Sequence, residues 1–382
     1  MASPKLSPLK HQTKTQALRA QLIELARKLG PEAKLPTMRD LCDSLQVSGM
    51  TLNRALSELE AQGVINRRQG SGTYVAATYG TPRTTERTVG LVYDRDIFAA
   101  GNSPFTGLLV DEARRRAAAG NERFSFYLAV PSKDNLPIHD DLAEAVRGHR
   151  LHGVLFVGEQ NPQALQWLLG QNVPVVALAY TPIAPWRVKI NHAAGIRSGV
   201  HALAEQGCRR IGLWIPVGVG IGRAEGEESF AELDAFREAL KERGLSFEPN
   251  RVWEHQNLTD AVPAQPEDTN QEQGYRAALQ VFGDAGTTNQ QHPDGLVIDD
   301  DMMTRGALVA LQQAGIRLGT DVKIATHINR GSEVLLGYED LLTLIEVDPG
   351  EIVEAMFSML ETLMDGETPQ LSTVSIQPKL RR

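Results

Sequence analysis

The chain has 382 residues, a net charge of −8 at neutral pH and only two cysteines. That length exceeds one ordinary domain of roughly 100–200 residues, so more than one core is expected. Two cysteines, Cys42 and Cys208, exclude a disulfide-stapled scaffold and show no metal-ligand spacing; both read as small buried hydrophobes. No apolar run approaches the ~20 residues that span a bilayer, and no signal-peptide pattern opens the chain. A cytoplasmic protein that makes no membrane contact is expected.

In chain order, residues 1–12 are polar and are expected to be disordered. Leu18, Leu22, Leu25 and Leu29 then repeat at helical spacing. Thr37 and Asp40 follow Pro36 with the spacing of a capping box, which starts a second helix carrying Leu41 and Leu45. Gln46 and Val47 make a turn. Ser48 can cap a third helix through Leu52, Ala55, Leu56 and Leu59, which Gly63 ends. Two apolar helices on a short turn make a helix-turn-helix. Residues 64–68 and 73–75 are short strands around Gln69-Gly70-Ser71-Gly72, and this hairpin is a wing.

The polar residues of this unit fit a DNA surface. A helix enters the major groove with its N-terminal residues at base edges; here those are Ser48, Gly49, Thr51, Asn53 and Arg54. Phosphates take cations and free backbone N–H groups, which Arg39, Arg67, Arg68, Gly70 and Gly72 supply. Residues 1–87 carry 13 basic and 7 acidic residues, against 26 and 40 in the remainder. The net +6 of the first part and −14 of the second confine the positive field to the N-terminal domain. The plainer alternative is a protein-binding winged helix with a solvated basic face.

The stretch 13–76 resembles the GntR family of bacterial transcription regulators. The similarity lies in LPTMRDL, VSGMTLNRAL, LEAQGVI and RRQGSGTYV. It implies DNA contact at Arg39, Ser48, Thr51, Gly70 and Gly72. Many members carry Arg where this chain has Gly49 and Asn53, so the operator sequence does not carry over.

Residues 77–87 read as a polar linker. Beyond it, short apolar strands alternate with helices. Strands are expected at 89–93, 124–130, 153–157, 173–179, 210–216, 295–299 and 322–326. Helices are expected at 198–206, 231–243 and 305–314, and residues 256–272 read as a surface insertion. Such alternation implies parallel sheets covered by helices, and about 290 residues favour two lobes over a single sheet. A ligand crevice then falls at the carboxyl ends of the strands.

Residues 88–382 resemble the effector domain of LacI regulators and periplasmic sugar-binding proteins. Six segments carry the resemblance in order, from TVGLVYDRDIFAAGNSPFTGLLVDEARRRAA through HGVLFVGEQ, VPVVALAY, KINHAAGIRSG and HPDGLVIDDDMMTRG to LTLIEVDPGEIVEAM. The implied fold is a winged helix-turn-helix joined to a two-lobed α/β periplasmic-binding-protein-like domain, as in arabinose-responsive repressors. The resemblance implies effector contacts at Phe98, Asn102, Phe105, Glu159, Asn191, Asp301 and Asn329. Glu232 stands where sugar-binding members carry Arg; it inverts a charge and removes a bidentate donor. That substitution points to a cationic or amine-bearing ligand, a degenerate pocket, or a shifted alignment.

Other features carry less. Gly218, Gly220 and Gly222 lack dinucleotide-loop spacing and read as a flexible loop. His192, His201 and His327 form no metal spacing, and neither metal nor cofactor is expected. No nucleophile elbow, zinc motif or P-loop is present. The C-terminal lysines lack the setting that pyridoxal-phosphate relatives of GntR regulators need. The expected protein is therefore a regulator and not an enzyme. It would be a repressor acting as a homodimer on a double-stranded operator, with a small polar effector, a carbohydrate before an amine-bearing ligand.

Overall fold

The computed structural model describes residues 14–30, 32–45, 47–61, 64–68, 71–76, 87–94, 103–129, 137–158, 161–216, 231–253, 269–283 and 292–381. The chain divides into two units, Met1–Glu86 and Arg87–Arg382.

In the first unit, α1 (Lys14–Leu29), α2 (Met38–Leu45) and α3 (Gly49–Ala61) precede the hairpin β1 (Ile65–Arg68) and β2 (Gly72–Val75). Local chemistry sets the helix starts. Thr37 and Asp40 form the reciprocal capping box: each backbone N–H donates to the other's side chain at 3.3 Å. The Thr51 N–H donates to Ser48 Oγ at 3.2 Å, so Ser48 caps α3. Leu18, Leu22, Leu41, Leu52, Leu56 and Leu59 close over Ile65 and Val75 in one buried core. The hairpin is antiparallel, with Ile65 opposite Val75 and Arg68 opposite Gly72. Val75 and Leu35 N–H groups bond to Ala33 and Thr73 carbonyls, which adds the segment before α2 to the wing.

The second unit begins with β3 (Thr88–Tyr93), α4 (Phe105–Ala119), β4 (Arg123–Leu128), α5 (Asp140–Arg147) and β5 (Gly153–Val157). It continues through α6 (Pro162–Leu169), β6 (Val175–Leu178) and β7 (Arg187–Ile190). The chain then crosses to a second lobe: α7 (His192–Glu205), β8 (Ile211–Trp214), α8 (Ala231–Glu242), β9 (Val252–Trp253) and α9 (Asn270–Phe282). That lobe is completed by β10 (Gly295–Ile298), α10 (Asp301–Gln313), β11 (Lys323–Asn329) and β12 (Leu342–Val347). Finally α11 (Pro349–Met364) and β13 (Thr373–Ile376) return to the first lobe, and β14 (Lys379–Leu380) to the second.

Two six-stranded sheets result, ordered β13-β7-β6-β5-β3-β4 and β14-β12-β11-β10-β8-β9. All pairings are parallel except β12 with β14. Every residue of β5, β8 and β10 is buried, as strands covered by helices on both faces require. The chain passes between lobes three times, after β7, after β12 and after β13. Among the described residues no helix is long and apolar enough to cross a membrane.

Several boundaries differ from those read in the sequence. The helix expected at 198–206 begins at His192, because Ala193, Ala194 and Gly195 carry no apolar period. The helix expected at 305–314 begins at Asp301, capped by Asp300. The strand expected at 322–326 continues to Asn329. The supposed insertion at 256–272 ends sooner: a Thr269–Glu272 capping box starts α9 at Asn270. Residues 256–268, the Gly218–Gly222 loop and the linker through residue 86 lie outside the described residues.

Candidate functional site

On the winged helix, the expected DNA-facing residues cluster on α3 and the wing. Ser48, Gly49, Asn53 and Arg54 are exposed at the start of α3, and Arg39 is exposed on α2. Thr51 is half-buried, its hydroxyl 2.8 Å from Ser48 Oγ. A Cβ on Gly49 would meet nothing within 4 Å. Gly72 has φ +124°, and Lys34 Cε lies 2.8 Å from where its Cβ would be, so glycine serves both the turn and the packing of Lys34. Gly70 lies outside the described residues, and Arg68 is described only through its strand backbone.

Arg67 was expected at phosphate and Asn53 at a base edge, but the fold joins them. Arg67 donates to the Asn53 side-chain oxygen at 2.9 Å, to the Asn53 carbonyl at 3.1 Å and to Ser57 Oγ at 3.3 Å. Its Nε lies 3.5 Å from Glu60. Arg67 therefore ties the wing to α3. The sequence reading passed over Met50, an apolar side chain 85% exposed on the first turn of α3.

In the second unit, polar groups converge at the carboxyl ends of β10 and β11 and the first turn of α7. Strand alternation puts Ala325, His327 and Asn329 on one face of β11, while Ile324, Thr326 and Ile328 pack the other. Asp299 directly follows β10. His192, the first residue of α7, brings its Nδ1 to 2.9 Å from the Asp299 carboxylate and its Nε2 to 2.7 Å from the Tyr180 hydroxyl. Tyr180 follows β6, so both lobes contribute. The rings of His192 and His327 stack with centroids 5.8 Å apart, and His327 Nε2 lies 3.3 Å from Asn329 Oδ1. His192, Asp299 and His327 each turn a ligand atom inward, all within 4.8 Å of one another. The three positions show no metal spacing along the chain, and it is the fold that brings His192 and His327 together. His201 stays apart, 2.9 Å from Glu242.

The surrounding field is acidic. Burial disfavours the charged His192 ring, but Asp299, then Glu232 and Asp300, outweigh it and raise its pKa above the ordinary value. His327 moves the other way, lowered by burial and by the charge of His192. Burial, then the neighbouring Asp301 charge, pushes Asp300 up to about 7. Asp300 meanwhile accepts the Met303 N–H at 2.6 Å and the Asn270 amide at 3.0 Å.

The expected effector residues divide accordingly. Asp301 is 1% exposed and accepts from Ser332 Oγ at 3.0 Å, beside this cluster. Asn329 lies within it. Glu232, in the first turn of α8, acts on His192 by charge. Asn191 caps α7 through the Ala194 N–H at 3.1 Å and donates to Gln377 at 3.0 Å. Phe105 starts α4 and packs on the first-lobe core. Phe98, Asn102 and Glu159 lie outside the described residues. Beside them, Gly158 (φ +122°) passes so close to Asp94 that a Cβ would sit 1.8 Å from its carboxylate oxygen. His192, Asp299, His327 and Tyr180 escaped the sequence reading; period-two continuation of β11 through His327 to Asn329 was the available signal.

Residues 13–75 match the family of bacterial regulatory proteins of gntR type, and residues 200–382 match the periplasmic binding protein-like domain. The chain thus carries a gntR-type winged-helix domain followed by a two-lobed periplasmic-binding-protein-like domain. Among similar proteins, the HTH-type transcriptional repressor PurR of Klebsiella pneumoniae is 28% identical over 180 residues, which cover 47% of this chain and 45% of that repressor. The arabinose metabolism transcriptional repressor of Geobacillus stearothermophilus is 32% identical over 68 residues, 18% of this chain and 19% of that protein. The chain therefore spans less than half the length of these relatives. In fold, it resembles a LacI-family regulatory protein from Chloroflexus aggregans (TM-score 0.60, 21% identity, 77% of this chain and 96% of that one). It also resembles the transcriptional regulator CelR in its cellobiose complex (TM-score 0.59, 20% identity, 88% and 91%). These relatives and neighbours are transcription regulators, not enzymes.

Proposed function

We propose that this protein is a ligand-responsive, sequence-specific DNA-binding transcription regulator, a repressor that acts as a homodimer. The observation that carries the reading is the pairing of two domains: a gntR-type winged helix, with polar residues exposed on α3, and a two-lobed domain whose polar groups converge where the lobes meet. A homodimer would set two α3 helices on successive major-groove faces of a pseudo-palindromic operator. A small polar effector, a sugar or sugar derivative, binds between the lobes beside Asp301 and Asn329. Its preference for one lobe arrangement shifts the dimer between DNA-binding states. A second reading, an amine-bearing effector, is favoured by Glu232 and by the carboxylates that surround His192.

A thermal-shift screen of the full chain against pentoses, hexoses, polyols, nucleosides and amines tests the effector class. A ligand at 100 times its Kd adds about 2.7 kcal/mol. A carbohydrate hit supports the first reading, a hit only among amines supports the second, and no hit counts against both.

A further inference from the structure

We propose that His192, Asp299 and His327 form a binding site for a divalent transition ion of zinc type at the floor of the interlobe crevice. Their ligand atoms all lie within 4.8 Å of one another, so none is more than about 2.8 Å from a common centre, against zinc–ligand bonds of roughly 2.0–2.2 Å. Closing that gap takes side-chain adjustments of under about 1 Å, with no change in the strands. Two imidazoles and one carboxylate suit zinc, iron or cobalt; magnesium and calcium prefer oxygen alone.

Two further observations support the site. The buried His192 Nδ1 is 2.9 Å from the Asp299 carboxylate yet makes no well-directed hydrogen bond, to it or to another group. The remaining ring nitrogens are held from outside, His192 Nε2 by the Tyr180 hydroxyl at 2.7 Å and His327 Nε2 by Asn329 at 3.3 Å. Metal-binding histidines are oriented by such outer hydrogen bonds.

Three protein ligands leave a coordination position open for an exogenous group. The ion neutralises the carboxylates of Asp299 and its neighbours Asp300 and Glu232, which would otherwise repel an oxygen-rich molecule. An effector hydroxyl or carboxylate oxygen takes the open position. The proposal deepens the effector-site reading and rests on it for the role of the ion, though not for its binding.

The test uses full-length protein stripped with a chelator, dialysed and titrated with zinc chloride. Bound metal is counted by elemental analysis, and affinity is measured by calorimetry. One zinc per chain is expected, weakened at least about 100-fold in both His192→Gln and His327→Gln and unchanged in His201→Gln. Cobalt(II) gives a second readout, its visible bands disappearing in the same variants. If a histidine variant fails to fold, Tyr180→Phe, which removes the outer hydrogen bond to His192 and leaves the three ligands in place, still weakens zinc binding by about tenfold. No zinc uptake, or uptake unchanged in both histidine variants, overturns the proposal. Stripped protein that still binds an effector overturns the ion's role there and leaves the effector reading intact.

Discussion

The Asn53 side-chain oxygen accepts a 2.9 Å hydrogen bond from the Arg67 guanidinium, joining the recognition helix to the wing. A residue that the sequence assigns to phosphate is engaged at the surface by Asn53, Ser57 and Glu60 of its own domain. Arg39 is exposed on α2. The two arginines are therefore expected to behave differently on DNA. Arg39→Ala lowers the slope of log affinity against log salt by about one, the signature of one lost phosphate contact. Arg67→Ala leaves the slope unchanged and costs the domain at most about 1 kcal/mol, as for an exposed ion pair. Fluorescence anisotropy at several salt concentrations, with thermal melts, separates the two; equal slope losses would return Arg67 to the phosphate.

Met50 stands 85% exposed two residues after Ser48. An apolar side chain there suits the methyl group of thymine in the major groove. Met50→Ala is expected to relax selectivity at one base pair by about 1 kcal/mol, within the range of single-pair effects, and to leave the salt slope alone. Binding to an operator and its single-position variants reads this directly, and a uniform loss across all variants would count against it.

In the second lobe, α9 and α10 cross at two glycines. A Cβ on Gly306 would lie 1.8 Å from the Gln271 carbonyl oxygen, and one on Gly274 would lie 1.9 Å from that of Met303. Both obstacles are backbone, so the helices themselves must separate. Gly306→Ala is expected to lower stability by about 3 kcal/mol or more, measured by urea unfolding. A loss below about 1 kcal/mol would show that the crossing is looser than these distances.

Asp301 is buried and accepts from Ser332. Asp301→Asn removes the charge and keeps an acceptor for that hydroxyl, so the fold should survive. The expected outcome is loss of the effector-induced rise in Tm, with operator affinity of the ligand-free protein retained. An undiminished rise in Tm would remove Asp301 from the effector site.

Features set by near neighbours in sequence were legible before the structure. The Thr37–Asp40 box, the Ser48 cap and the apolar period of Leu52, Leu56 and Leu59 each act within one or two helical turns, and all three appear in the fold. The alternation of strands and helices likewise foretold two parallel sheets. What failed was non-local. His192, Asp299 and His327 lie on a helix start, a strand end and a strand interior, and only the crossover after β7 and the order β11-β10-β8 bring them together. Local cues also misled: the small residues after His192 hid the first turns of α7. The apolar run ends before His327, whereas the strand itself continues through it to Asn329. The contacts of Arg67 with Asn53, Ser57 and Glu60 were equally beyond local cues, since they join residues 7 to 14 positions apart.

A ligand held between the lobes is expected to control DNA binding. The most direct measurement selects duplexes from a random pool with the full chain, then titrates the selected site with and without a ligand that raises the Tm. The expected result is a pseudo-palindromic site whose affinity changes by about tenfold or more when ligand is added. Failure to enrich any sequence, or an affinity that the stabilising ligand leaves unchanged, would contradict it.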